Sequence, residues 1–228
     1  MKLHRRDFIL FAATAAPALE QAFAATTRAA TGSAAGKAEG PPRILVVGDS
    51  LSAEYGLARG SGWVALLQKR LADRKIGAAV VNASISGDTT SGGRARLPAL
   101  LKEHKPDIVI IELGGNDALR GLPLSGTEAN LVAMAEAAQK SGAKVLLIGM
   151  EVPPNYGADY SRRFAAVFGK AAATTHSALV PFLLKGVADG PDAADMFQAD
   201  RIHPLAKAHP RMLDNVWPEL EKLLGSTH

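Results

Sequence analysis

At 228 residues the chain can bury one substantial core, and with 47% apolar and 21% charged residues it has the composition of a folded domain, not a disordered one. The formal charge of +4 is spread as mixed signs with no basic block interleaved with aromatics, which speaks against nucleic-acid binding. Cysteine is absent, which excludes disulfides, thiolate metal sites and a cysteine nucleophile.

The first element is MKLHRRDFILFAATAAPALEQAFAATT. A basic start, an apolar stretch from Phe8 to Leu19, and Ala22-Phe23-Ala24 before Ala25 follow the order of an export signal. Arg5-Arg6-Asp7-Phe8-Ile9-Leu10 looks like a twin-arginine signal, so a periplasmic or secreted location is expected, with cleavage after Ala24. The apolar stretch is too short, and too rich in Ala and Thr, for a membrane span. Residues 25–42 are mostly Ala, Thr, Gly, Ser and Pro without apolar periodicity, and read as a flexible leader before a domain over 43–228.

From there strands and helices alternate. Ile44 to Val47 is a short β-branched run, as expected of a strand buried on both faces. Helical spacing of Trp63, Leu66, Leu67 and Leu71 predicts a helix over 62–74, and Gly77 ends it. Strands follow at 78–82, 107–113, 144–148 and 178–181. Helices are expected over 91–104, 127–140, 160–175 and 205–224, the last delayed or bent at Pro210 and broken near Pro218. Strand then helix, repeated, predicts an α/β three-layer sandwich: a five-stranded parallel sheet covered on both faces through right-handed crossovers. Such sheets bind ligands at the carboxyl ends of their strands.

The polar, glycine-rich segments fall at those ends. They are Gly48-Asp49-Ser50, the Asn82 to Thr90 loop, Gly114-Gly115-Asn116-Asp117, and Asp200-Arg201-Ile202-His203-Pro204. Acyl transfer needs a hydroxyl nucleophile, a base, an orienter for the base, and donors for the developing oxyanion. Ser50, His203 and Asp200 have the first three capacities; Asp200 can reach the second ring nitrogen if the segment makes one turn. The backbone N–H groups of Ser50 and Gly87 and the side-chain amide of Asn116 are candidate donors. Glycine at 87 lets the backbone approach a carbonyl with no Cβ between.

GDSLS at 48–52, the glycine of ISGDT, GGND and DxxHP occur in the order seen in the GDSL or SGNH hydrolase family, which this chain resembles over residues 43–217. Ser50, Gly87, Asn116 and His203 match the four eponymous positions, and Asp200 matches the triad acid. The blocks VVNASISGDTTSGGRARLPALLKEHKPDIVIIELGGNDALRG and PPNYGADY are similar to the thioesterase I, lysophospholipase L1 and arylesterase branch. The resemblance implies a flavodoxin-like fold, hydrolysis of esters and thioesters, and no metal or organic cofactor. It also implies that the loop carrying Leu119, Leu122 and Pro123, and the one carrying Pro154 and Tyr156, contact substrate. Two positions depart from the family: Glu54 stands where a small residue is common, and Arg201 replaces a glycine before Ile202-His203-Pro204, so that loop is expected to differ in backbone conformation.

Other groups are expected to be structural. Asp49, Asp88 and Asp117 brace loops; Asp195 is a rival triad acid eight residues from His203; His104, His176 and His209 are exposed; Trp63 and Trp217 pack. The expected partner is a small-molecule or lipid ester and the expected state a monomer. Two further functions compete. A carbohydrate O-deacetylase fits the wider family, but 5% aromatic residues offer few faces for sugars. A non-catalytic binding module on the same fold has no need for Asp200 and His203 together.

Overall fold

The structure, a computed structural model, describes residues 40–225; the expected export signal and nearly all of the leader lie outside them. Five strands form one parallel sheet: β1 (Arg43–Gly48), β2 (Ala79–Asn82), β3 (Ile108–Glu112), β4 (Lys144–Ile148) and β5 (Ala178–Val180), in the order β2-β1-β3-β4-β5. The central strands explain why they are central. Ile44 to Val47 and Ile108 to Ile111 are fully buried, so both faces of β1 and β3 must be covered. Two packed groups of helices cover them. One holds α1 (Trp63–Asp73) and α6 (His209–Gly225); the other holds α2 (Thr90–His104), α4 (Leu124–Lys140) and α5 (Ala158–Thr175). The chain leaves β1 and β3 toward different neighbours in this order, which opens a crevice between their carboxyl ends.

The helices depart from the prediction most at three places. A five-residue helix, α3 (Gly115–Leu119), follows β3 directly and is too short to show a 3.6-residue period. Helix α4 begins at Leu124 instead of Thr127, because the Pro123 carbonyl accepts the Gly126 and Thr127 N–H groups at 2.9 and 3.2 Å and carries the turn back past Gly126. Helix α6 begins at His209 and runs unbroken through Pro218. Pro210 sits in the first turn, where its missing N–H is harmless. Pro218 is exposed, while Met212, Leu213, Val216, Leu220 and Leu224 are buried. At roughly 1.5–3 kcal/mol per buried side chain, those anchors outweigh the ~3 kcal/mol of one interior proline. Pro98 is carried within α2 in the same way, on its exposed side.

Candidate active site

Strand β1 ends in a tight turn that only glycine permits at 48, where a Cβ would meet the Ser52 side chain at 2.8 Å and Glu112 Oε2 at 2.9 Å. The Asp49 carbonyl then accepts from the N–H groups of Ser52 and Ala53, at 3.2 and 2.9 Å, curling the chain so that Ser50 stands at the sheet edge. Ser50 Oγ lies 2.8 Å from His203 Nε2, and His203 Nδ1 lies 2.6 Å from Asp200 Oδ2. The other Asp200 oxygen accepts the backbone N–H groups of Ile202 and His203, each at 3.0 Å, which makes the single turn that the spacing requires. Desolvation works to raise the Asp200 carboxyl, but the His203 ring and these two N–H donors outweigh it and hold it at about 2. It therefore stays ionised through the neutral range, facing the ring nitrogen remote from Ser50.

Asn116 rises from α3. Its Nδ2 donates to Asp49 Oδ2 at 3.1 Å, while Asp49 Oδ1 accepts the Leu51 N–H at 3.0 Å. One amide hydrogen is thus committed and the other remains to be donated. Gly87 has φ +80°, a left-handed conformation, and the nearest atom to a Cβ there is Arg120 Nη2 at 3.7 Å. That guanidinium donates to the Gly87 carbonyl at 2.8 Å, tying the loop after β2 to the one after β3. The N–H groups of Ser50 and Gly87 find no acceptor among the described residues.

Beneath this edge lies a buried acid pair. Burial raises Asp49 to about 6, against the lowering by the Leu51 N–H, Asn116 and His203. Glu112, at the end of β3, is pushed well above the usual range, first by burial and then by Asp49. Its Oε2 accepts from Ser52 Oγ at 2.7 Å, and Ser52 Oγ accepts from Trp63 Nε1 at 3.1 Å. Asp88 pairs with Arg96 at 2.8 Å, and buried Asp117 accepts from the Thr90 backbone at 2.9 Å as well as from the Thr90 and Thr127 hydroxyls. All three aspartates brace loops, as expected, and both tryptophans pack in the core.

The structure thus joins Ser50, His203 and Asp200 in one hydrogen-bonded row and sets Asn116 beside it through Asp49. Leu119 and Leu122 are exposed at 45% and 38%, and Pro123 precedes α4 on the same surface loop. Tyr156 stacks on Tyr160, with ring centroids 6.1 Å apart. Pro154 begins a one-turn 3-10 helix, and its side chain lies outside what the structure describes. His209 is a correction: it is buried and accepts the Trp63 backbone N–H at 3.0 Å through Nδ1, because it opens α6 against the start of α1. His104 is half-buried, while His176 is exposed. Arg201 takes φ +57°, a left-handed conformation for a residue with a side chain. Glu54 turns back on its own loop and accepts from the Gly60 and Gly62 N–H groups at 3.0 and 2.7 Å. Sequence reasoning missed Tyr55, Arg120, Glu112 and Gln198, which carry no motif; a polar residue closing an apolar strand was the one available signal for Glu112.

The sheet order and the four loops at its carboxyl edge define an α/β/α hydrolase of the SGNH type. The chain belongs to the GDSL-like lipase/acylhydrolase family, whose model matches residues 46–211. It is 58% identical to the esterase TesA of Pseudomonas aeruginosa over 79% of this chain and 89% of that protein. It is 40% identical to thioesterase 1/protease 1/lysophospholipase L1 of Escherichia coli K12, over 80% of this chain and 85% of that one. A crystal structure of TesA superposes with a TM-score of 0.77 at 57% identity, covering 79% of this chain and 99% of that one. The protein is accordingly a GDSL-type ester hydrolase. Among the described residues no helix is long and apolar enough to cross a membrane.

Proposed function

We propose that Ser50, His203 and Asp200 hydrolyse carboxylic esters and thioesters through an acyl-serine intermediate. The observation that carries this reading is the row Asp200–His203–Ser50, with 2.6 and 2.8 Å between partners. Ser50 Oγ attacks the acyl carbonyl while His203 Nε2 takes its proton. The carbonyl electron pair moves onto oxygen, where the N–H groups of Ser50 and Gly87 and the free amide hydrogen of Asn116 receive it. Collapse expels the alcohol or thiol, which leaves with the proton from His203. Water then attacks the acyl-enzyme, gives a proton to His203, and releases the acid; the proton returns to Ser50. Asp200, ionised throughout, holds the ring tautomer and stabilises the imidazolium.

The substrates proposed are aryl, lysophospholipid-like and thioester acyl compounds, with the acyl chain along Leu119, Leu122 and Pro123 and the far wall supplied by Pro154 and Tyr156. The names of the relatives, esterase and thioesterase/lysophospholipase, support this class. The twin-arginine-like start supports export and action outside the cytoplasm; a monomer is the default working state.

The test is hydrolysis of p-nitrophenyl esters of increasing acyl length by the chain from Ala25 onward, beside Ser50→Ala. The expected outcome is at least about a thousandfold loss in a folded variant. Retention of more than about a tenth of the wild-type rate overturns the mechanism. Turnover of acetyl esters alone favours the deacetylase reading; inertness together with no fluorophosphonate labelling of Ser50 favours a binding module.

A further inference from the structure

Five residues after the nucleophile, Tyr55 lays its ring on the imidazole of His203, with centroids 4.3 Å apart and planes tilted by 39°. Half of the Tyr55 side chain remains exposed, so the contact is not explained by burial in a core. It is held in place from behind. Gln198 Nε2 donates to the Tyr55 carbonyl at 2.9 Å and to the Pro204 carbonyl at 3.3 Å. The Gln198 backbone N–H donates to the His203 carbonyl at 2.8 Å. One residue thus clasps the loop after β1 to the segment that carries the base. The clasp is tight: a Cβ at Gly56 would lie 2.2 Å from Gln198 Oε1, and Gly56 has φ +71°.

The geometry points to Tyr55 as a positioning residue for the base: its ring face holds the His203 imidazole on line with Ser50 and favours the imidazolium that forms when the Ser50 proton is taken. An aromatic face within about 6 Å attracts a cation through its quadrupole, and the 4.3 Å separation is inside that range. The other groups acting on the ring are already placed: Asp200 on Nδ1, Ser50 on Nε2, and the buried Asp49 carboxyl, with Arg201 two residues away in the chain. This inference rests on the role proposed for His203.

The experiment compares wild type with Tyr55→Leu, which fills space without a quadrupole, and Tyr55→Phe, which keeps the ring face. Each is assayed for kcat/KM against pH and for thermal unfolding, with Ser50→Ala alongside. Tyr55→Leu is expected to lower the kcat/KM plateau about two- to fivefold and to move its acid-side half-activity point down by roughly half a pH unit. The direction follows because, without the ring, protonating His203 becomes harder and the active neutral form persists to lower pH. Tyr55→Phe is expected to recover most of both. A plateau loss in Tyr55→Leu with an unmoved acid limb, or no recovery in Tyr55→Phe, overturns the inference. If Ser50→Ala itself stays active, the failure belongs to the proposed mechanism instead.

Discussion

The two sides of the active-site edge are built differently. The nucleophile side, at the ends of β1 and β3, rests on buried polar groups: Asp49, Ser52, Thr90, Glu112 and Asp117 are each at most 2% exposed. Long-range hydrogen bonds tie them, such as Asn116 to Asp49 and Thr90 to Asp117. The base side is a surface segment in which Asp200, Arg201 and Ile202 are exposed. Bonds within a few residues hold it, together with an isolated bridge between Phe197 and Pro204. The difference follows the tasks. In the proposed mechanism the donors for the oxyanion must be fixed before charge develops, and a buried hydrogen-bond network can fix them. A base handing a proton between partners needs only its tautomer and direction held, which a carboxylate and two backbone N–H groups can do.

The largest expected effect tests the rigid side. Asn116→Ala should lower kcat about a hundredfold to a thousandfold with much less change in KM; a loss under tenfold in steady-state kinetics would remove Asn116 from the oxyanion site. Next comes a contrast in stability, read by urea unfolding. Asp117→Ala leaves the buried Thr90 N–H and hydroxyl without their acceptor and should cost on the order of 2–3 kcal/mol. Asp200→Asn, at an exposed site, should cost under ~1 kcal/mol while activity collapses. Equal stability losses would erase the distinction between the two sides.

The same contrast predicts opposite pH dependences. Asp200 is held at about 2, below its ordinary 3.8, so its stabilising contribution is present above about pH 4 and is lost as pH falls toward 2. Asp49 is raised from 3.8 to about 6, so the folded state binds its proton more tightly, and its contribution falls as pH rises from about 4 to 6. Relative to wild type, Asp49→Asn should therefore gain stability across that window and level off above it; a flat difference would mean that Asp49 titrates normally. The smallest effect is on the surface segment. Arg201→Gly relieves a left-handed non-glycine residue and should raise stability by about 0.5–1 kcal/mol, visible as a higher melting temperature, with the triad unchanged. A lower melting temperature would show that the arginine side chain contributes more than its backbone strain removes.

The strands were legible because Ile44 to Val47 and Ile108 to Ile111 are apolar throughout, which leaves a buried parallel strand as their simplest reading. The residues proposed as triad and oxyanion donors stood out as motifs at strand ends. Helix α3 was hidden by its length. The continuity of α6 through Pro218 was hidden because packing by Leu213, Val216 and Leu220 decides it. His209 looked like a surface residue until the start of α1 was seen to cover it, and Tyr55 had no visible partner until the two loops met.

The sequence by itself determined the alternation of strand and helix and the chemical kinds of group at each strand end, because both are local: β-branched runs, helical spacing, and polar residues after apolar ones. Only the tertiary structure decided that Ser50 and His203, 153 positions apart, stand 2.8 Å from each other. It alone decided that burial raises Asp49 to about 6 while the His203 ring and two backbone N–H groups hold Asp200 at about 2. Distance and desolvation are set by which strands lie side by side and what covers them, and spacing along the chain encodes neither.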